Sequence, residues 1–197
     1  VVFENARVSE ADVIHQGYGL DPAAPAANLD VLLMYSGFAN IFSGIAHGAF
    51  AAALDYVRNA VHSWVESGHN RAADDPLIQE RFGRLWPKLA ATAALVRETN
   101  RLIDRLLEKA GDLTWEDRAS GAIAVNAARL QAAEVALEVS SQIFALTGAR
   151  SAALSTGLDR FWRNARTLSL HDPLHYKELE VGRYLLNGTA PVPGFYS

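Results

Sequence analysis

Apolar residues recur along most of this chain at helical spacing, and the breaks between periodic stretches carry start and stop signals. From Leu29 to about Val65 the sequence is apolar and alanine-rich, with Asn28 placed as an N-cap and Gly37, Gly44 and Gly48 pointing to close backbone packing, which predicts one long helix. After a polar gap from Ser67 to Asp74, Asp75-Pro76 supplies an N-cap and a proline at the first helical position, where a missing amide hydrogen costs nothing. Phe82, Leu89, Val96 and Ile103 then recur beside Ile78, Leu85 and Leu106, a stripe facing a partner helix for roughly 50 Å at about 1.5 Å per residue. Pro87 inside this stretch predicts a kink, and Gly111 a stop. Thr114 and Asp117 read as a capping box, Ile123, Leu130, Leu137 and Phe144 as the inward row of a third helix, and Gly148 as its left-handed C-terminal cap. A short helix around Trp162 follows, then one that restarts at Asp172-Pro173 and closes at Asn187-Gly188, then an extended tail from Pro191 to Ser197. Residues 1–14 read as a short strand and turn, and Asp21 to Ala27, with Pro22 and Pro25, as a linker. Three long antiparallel helices and a broken fourth predict an all-α, up-down four-helix bundle.

Composition narrows the function classes. The chain has 197 residues, 22 acidic and 18 basic, a net charge of −4 and half its residues apolar. That is enough for one well-buried domain, without an overall field that would draw nucleic acid or an anionic membrane. The absence of cysteine removes disulfides, thiolate metal sites and a cysteine nucleophile, and fits a cytoplasmic location. No apolar run is read as approaching the ~20 residues that span a bilayer, and no signal peptide is evident. An opening strand without partners in the rest of the chain points to a fragment of something longer.

Chemistry concentrates in Asp159-Arg160-Phe161-Trp162-Arg163-Asn164-Ala165-Arg166 and in Leu170-His171-Asp172-Pro173. Asp172 beside His171 suits a proton-handling pair, and equally suits a plain N-cap. His171 and His175 are four apart, but Pro173 lies between them and no third ligand is near, so no metal site is expected; His15, His47, His62 and His69 lack ligand spacing. No glycine-rich phosphate loop or Gly-x-Ser-x-Gly elbow occurs. Arg150, just after Gly148, is the best lone anion-binding candidate, set against a solvated arginine at a helix C-terminus. Arg160, Arg163 and Arg166, three apart, suit salt bridges or subunit contacts, while Phe144, Phe161 and Trp162 read as packing anchors.

These residues carry a resemblance. Thr147-Gly148-Ala149-Arg150, the Asp159 to Thr167 run, Leu170-His171-Asp172-Pro173, Leu186-Asn187-Gly188 and Pro191-Val192-Pro193-Gly194-Phe195 resemble the C-terminal helical domain of the acyl-CoA dehydrogenase superfamily. Within it they are most similar to reduced-flavin-dependent monooxygenases of the dibenzothiophene monooxygenase type. Val2-Phe3-Glu4-Asn5-Ala6-Arg7-Val8 resembles the last strand of the family's middle β domain, which implies that residues 1–27 are the end of that domain plus a linker and 28–197 the helical domain. Dehydrogenases of the family carry a Tyr-Glu-Gly-Thr motif where this chain has His171-Asp172-Pro173-Leu174. His171 instead matches the monooxygenase histidine that supports the flavin's oxygen chemistry, with Asp172 beside it, and Arg150 matches an arginine on the FMN phosphate. A second phosphate-binding arginine, in an Ala-Arg-Pro-Trp run, is replaced by His62 within Ala60-Val61-His62-Ser63-Trp64; Arg58 or Arg71 is a candidate to compensate.

The resemblance thus implies part of a two-component monooxygenase that uses reduced FMN (FAD as the alternative) and O2 on a small organic, possibly sulfur-containing, substrate. A flavin reductase and a homotetramer are its implied partners, with neither nucleic acid nor membrane. His171, oriented by Asp172, would donate a hydrogen bond at the reacting oxygen, with Arg150 and His62 at the flavin phosphate. The alternatives are an acyl-CoA dehydrogenase using FAD, and a helical oligomerisation module without catalysis.

Overall fold

The computed structural model describes residues 2, 4–12, 24–59, 62–194 and 196, and these are almost entirely helical. Five α-helices follow one another: α1 (Leu29–Asn59), α2 (Pro76–Lys109), α3 (Trp115–Thr147), α4 (Asp159–Ser169) and α5 (Leu174–Asn187), joined by short 3-10 turns. Among the described residues there is no β-strand, only an isolated antiparallel bridge between His62 and Arg71. Of the expected opening strand, Glu4 and Asn5 form a bend and Glu10–Asp12 a 3-10 turn. Val1, Phe3 and residues 13–23, with His15 and Pro22, lie outside the described residues.

A 3-10 turn, Pro25–Asn28, leads directly into α1, so most of the expected linker's described part is ordered helix entry. α1 ends at Asn59 rather than near Val65. The reason is visible in the backbone: the bridge between His62 and Arg71 needs extended chain, which cannot continue a helix. Between Asp30 and Asp55 α1 carries no acidic, lysine or arginine side chain, so by length and composition it could cross a bilayer, contrary to the expectation that no such run exists. Its apolar residues instead form an inward stripe, with Leu32, Tyr35, Ala39, Phe42, Ala46, Ala49 and Ala53 all buried at three- and four-residue steps. Small residues bring neighbours close: a Cβ on Gly48 would lie 2.9 Å from Cε1 of Phe161 on α4.

α2 starts where its signals predict and runs as one helix through Pro87, while Ile78 and Phe82 of the expected stripe are only partly buried. Asp75 Oδ1 accepts from the Leu77 amide at 2.9 Å, and the buried row is Leu85, Leu89, Val96, Ile103 and Leu106, with Thr92 and Thr99 among them. Pro87 sits on the exposed side, where the missing donor leaves a carbonyl to water. Both halves of the Thr114–Asp117 capping box are made, at 3.1 Å each.

The inward face of α3 differs from the expected one. Ile123, Leu130, Leu137 and Phe144 are only partly buried; the fully covered positions are mostly small, including Ala122, Ala128, Ala132, Ala133, Ala136 and Ser140. α3 is the central element, packed by α1, α2, α4 and α5, and small side chains let four neighbours approach it together. Gly148 ends it with φ 74° and ψ 175°, a positive-φ conformation beyond the left-handed helical region, while its amide still bonds to Phe144 O at 2.9 Å. Gly188 closes α5 in the left-handed region as expected.

Candidate functional site

Between the end of α4 at Ser169 and the start of α5 at Leu174 the chain turns, and this turn carries His171 and Asp172. Asp172 is no N-cap: α5 begins with Pro173 at the capping position and no side-chain cap bond. Its carboxylate points inward to Arg129 on α3, which donates Nη1 to Oδ2 at 3.0 Å and Nη2 to Oδ1. Arg129 is fully buried and Asp172 nearly so. Below the ion pair the guanidinium carbon lies 4.3 Å from the Tyr35 ring centroid and 5.5 Å from that of Phe38, both on α1. A planar, weakly hydrated guanidinium tolerates such a site because it can stack and fork at once. Burial alone would raise the Asp172 pKa, but the hydrogen bonds and charge of Arg129 outweigh it and hold the carboxyl below its ordinary range. Burial, then the Asp172 charge, push the Tyr35 phenol up to about 12.

His171 stands at the edge of this pair with its side chain 43% exposed. Its Nδ1 lies 3.3 Å from Asp172 Oδ1, and Phe38 meets its ring edge-on at 5.0 Å between centroids. The imidazole is thus gripped on one nitrogen and one face, and open on the rest.

One helical turn into α5, Lys177 is also buried; its ammonium contacts Glu180 at 2.9 and 3.1 Å, donates to the Tyr196 carbonyl of the tail, and lies 5.6 Å from the Tyr35 centroid. Asn126 of α3 donates to Glu180 at 2.8 Å. None of Arg129, Tyr35, Phe38 or Lys177 was among the residues expected from sequence. A charged residue four after Val125 and three before Ala132 was the available signal, and the leucine row chosen for the core turned Arg129 outward.

The two expected cofactor residues meet elsewhere. His62 and Arg150 line one cavity of about 590 Å³ with Tyr56, Ser63, Asp75 and Gly148. Arg150 rides on the 3-10 turn Ala149–Ala152, which is fixed by the buried Ser151: its hydroxyl lies 2.6 Å from Thr147 Oγ1 and donates to Gly148 O at 2.7 Å. The His62–Arg71 bridge sets the backbone of Arg71 beside His62, while Arg58, in the last turn of α1, does not line the cavity. The lining thus offers a guanidinium, an imidazole and hydroxyl groups to an anionic oxygen group, alongside the Asp75 carboxylate, which the Leu77 amide engages. Arg129 and Thr147 are 18 positions apart on α3, about 27 Å along the helix axis at about 1.5 Å per residue, so the ion pair beside His171 and the cavity of Arg150 belong to different levels of that helix.

The α4 arginines are engaged locally. Arg163 pairs with Asp159 at 3.1 Å, Arg160 donates to Gly157 O and covers Phe161, and Arg166 lies over Trp162. Among the described residues no three His, Asp or Glu gather as a metal site, and His175 stacks on Tyr176.

Residues 36–176 match the family described as acyl-CoA dehydrogenase, C-terminal domain. The chain is 41% identical over 160 residues to dibenzothiophene monooxygenase of Rhodococcus erythropolis, covering 81% of this chain and 38% of that protein. It is 35% identical over 198 residues to the probable FMNH2-dependent monooxygenase SfnC of Pseudomonas putida, covering 99% and 49%. The solved structure of methanesulfinate monooxygenase MsuC from Pseudomonas fluorescens superposes with a TM-score of 0.91 at 38% identity, over 99% of this chain and 50% of that one. The chain therefore spans half or less of the length of these relatives. From its helices and from this match over most of its length, the chain belongs to the acyl-CoA dehydrogenase C-terminal domain family.

Proposed function

We propose that this chain is the helical half of a two-component flavin monooxygenase that uses reduced FMN and O2 on a small sulfur-containing substrate. The observation that carries this reading is His171, a partly exposed imidazole fastened through Asp172 to a buried arginine. Likeness to relatives named as FMNH2-dependent and sulfur-compound monooxygenases supports it. Reduced FMN, when bound, supplies the activation of oxygen. The chain's residues do the rest: Arg150 and His62 hold the phosphate, His171 holds or moves a proton beside the reacting oxygen, and Phe38 keeps water from one face of its ring.

In this reading the two sites, set at levels of α3 about 27 Å apart along the helix axis, serve different flavins, and each is completed by a second copy of the chain in a homotetramer. In this reading residues 28–197 form a four-helix bundle domain, α1, α2 and α3 plus the broken α4–α5 arm, and residues 1–27 join a preceding β domain. A separate reductase delivers the flavin in the cytoplasm. Acyl-CoA dehydrogenation with FAD is the weaker alternative, since it needs a free carboxylate base near Asp172, and Arg129 occupies both oxygens of that group.

The test is to supply the full-length polypeptide with reduced FMN, 18O2 and small sulfinates, sulfones or thiophenes, and to follow label into product by mass spectrometry. Incorporation of one labelled oxygen is the expected result. Bound flavin that instead bleaches anaerobically with an acyl-CoA would overturn the reading.

A further inference from the structure

We propose that Arg129 is a positioning residue which, through Asp172, locks His171 into the tautomer bearing its hydrogen on Nδ1, so that neutral His171 presents a bare, hydrogen-bond-accepting Nε2 to the cleft. The argument begins with the carboxylate. An ionised carboxylate has only acceptor sites, and here both oxygens receive the guanidinium fork of a fully buried arginine. Asp172 Oδ1 faces His171 Nδ1 at 3.3 Å, and two acceptors cannot share that contact, so Nδ1 carries the hydrogen. A lone aspartate beside an exposed histidine could rotate away or take a proton, and the imidazole would then choose its own tautomer. Arg129 removes both freedoms: it is itself held against Tyr35 and Phe38, and Phe38 also sets the plane of the histidine ring.

The consequence changes the chemistry expected of the site. Donation from Nε2, the role implied by resemblance, becomes available only to the imidazolium; the neutral ring instead accepts a proton or hydrogen bond there. This deepens the monooxygenase reading by naming the direction in which His171 handles the proton, and it rests on that reading for what stands opposite Nε2. The tautomer itself is a property of the apo chain.

The experiment is therefore free of flavin. The whole chain is labelled with 15N-histidine, His171 is assigned by its disappearance in His171→Gln, and long-range 1H–15N correlation spectra are recorded above the pH at which the ring is charged. The expected pattern places Nδ1 in the protonated range and Nε2 in the bare range, with Arg129→Met moving both toward the Nε2–H form that a histidine side chain in water prefers. A wild-type His171 in the Nε2–H form overturns the proposal, as does an unchanged pattern in Arg129→Met with native circular dichroism. If Arg129→Met does not fold, Arg129→Lys takes its place: it keeps a buried cation but not the fork, so loss of Nδ1–H character supports the proposal and an unchanged pattern overturns it. Failure here with successful 18O transfer leaves the monooxygenase reading standing, and the converse outcome leaves the tautomer lock standing.

Discussion

Gly121 of α3 lies so close to Leu106 of α2 that a Cβ at position 121 would sit 2.5 Å from Leu106 Cδ1 and 3.3 Å from Leu32 Cδ1 on α1. Three helices meet at that point, and both leucines are almost wholly buried. Gly121→Ala is therefore an overpacking substitution and is expected to destabilise by about 1–3 kcal/mol, despite alanine's better helix propensity. Gly83 provides the contrast: it is exposed within α2, and a methyl group there would meet nothing within 4 Å, so Gly83→Ala should stabilise by about 0.5–1 kcal/mol. Urea unfolding of both variants checks the pair, and equal effects of the same sign would refute the packing account.

The Arg129–Asp172 pair makes a separate prediction about stability. Removing one partner leaves the other charge buried alone, so Asp172→Leu or Arg129→Met should each cost about 3–5 kcal/mol, and the double substitution far less than their sum. Because the folded-state pKa of Asp172 lies below its unfolded value near 3.9, its contribution is fully present above that pH and declines as pH falls through the lower folded value. Acid unfolding monitored by circular dichroism should accordingly show a shallower pH dependence in Asp172→Asn. A steeper one would contradict the sign.

Lys177 ties the tail to the core through its bond to the Tyr196 carbonyl. A hydrogen bond to a charged group contributes about 1.5–3 kcal/mol, so Lys177→Met should speed amide exchange across residues 189–194 by roughly ten- to a hundred-fold. Mass-spectrometric hydrogen exchange reads this directly. Tail protection that survives the substitution would show that other contacts hold it.

At the cavity of Arg150 and His62, Arg150→Ala in the full-length polypeptide should weaken FMN binding by about ten- to a hundred-fold, the loss of one charge-assisted contact. His62→Arg should tighten it, since a permanently charged fork replaces an imidazole. Fluorescence titration distinguishes the outcomes, and unchanged affinity in Arg150→Ala would remove the cavity from the flavin site.

Much of the helix pattern was legible because its signals are local. Asp75-Pro76, Thr114 with Asp117, and Gly188 act within one turn of themselves, so their hydrogen bonds appear where the residues stand. The end of α1 was not legible, since it is decided by the bridge that pairs His62 with Arg71, nine positions further along the chain than His62. The buried face of α3 departs from the spacing of its large apolar residues for a related reason. Alanines carry little weight in a periodicity of large apolar residues, yet in a helix surrounded on four sides they are what fits, and Ile123, Leu130, Leu137 and Phe144 are displaced to its flanks.

The candidate site divides in the same way. By itself the sequence determined that His171 and Asp172 share a turn, because proline confines the residues before it, and that Arg150 follows a helix end, because Gly148 takes a positive φ. Only the tertiary structure decided what those residues face. It brought Arg129 onto Asp172 across 43 positions, stacked Tyr35 and Phe38 beneath, and placed His62 with Arg150 on a single cavity. The spacing of Arg129 after Val125 and before Ala132 marks the face on which it stands, but the partner that makes its burial affordable lies beyond its own helix and is chosen by packing.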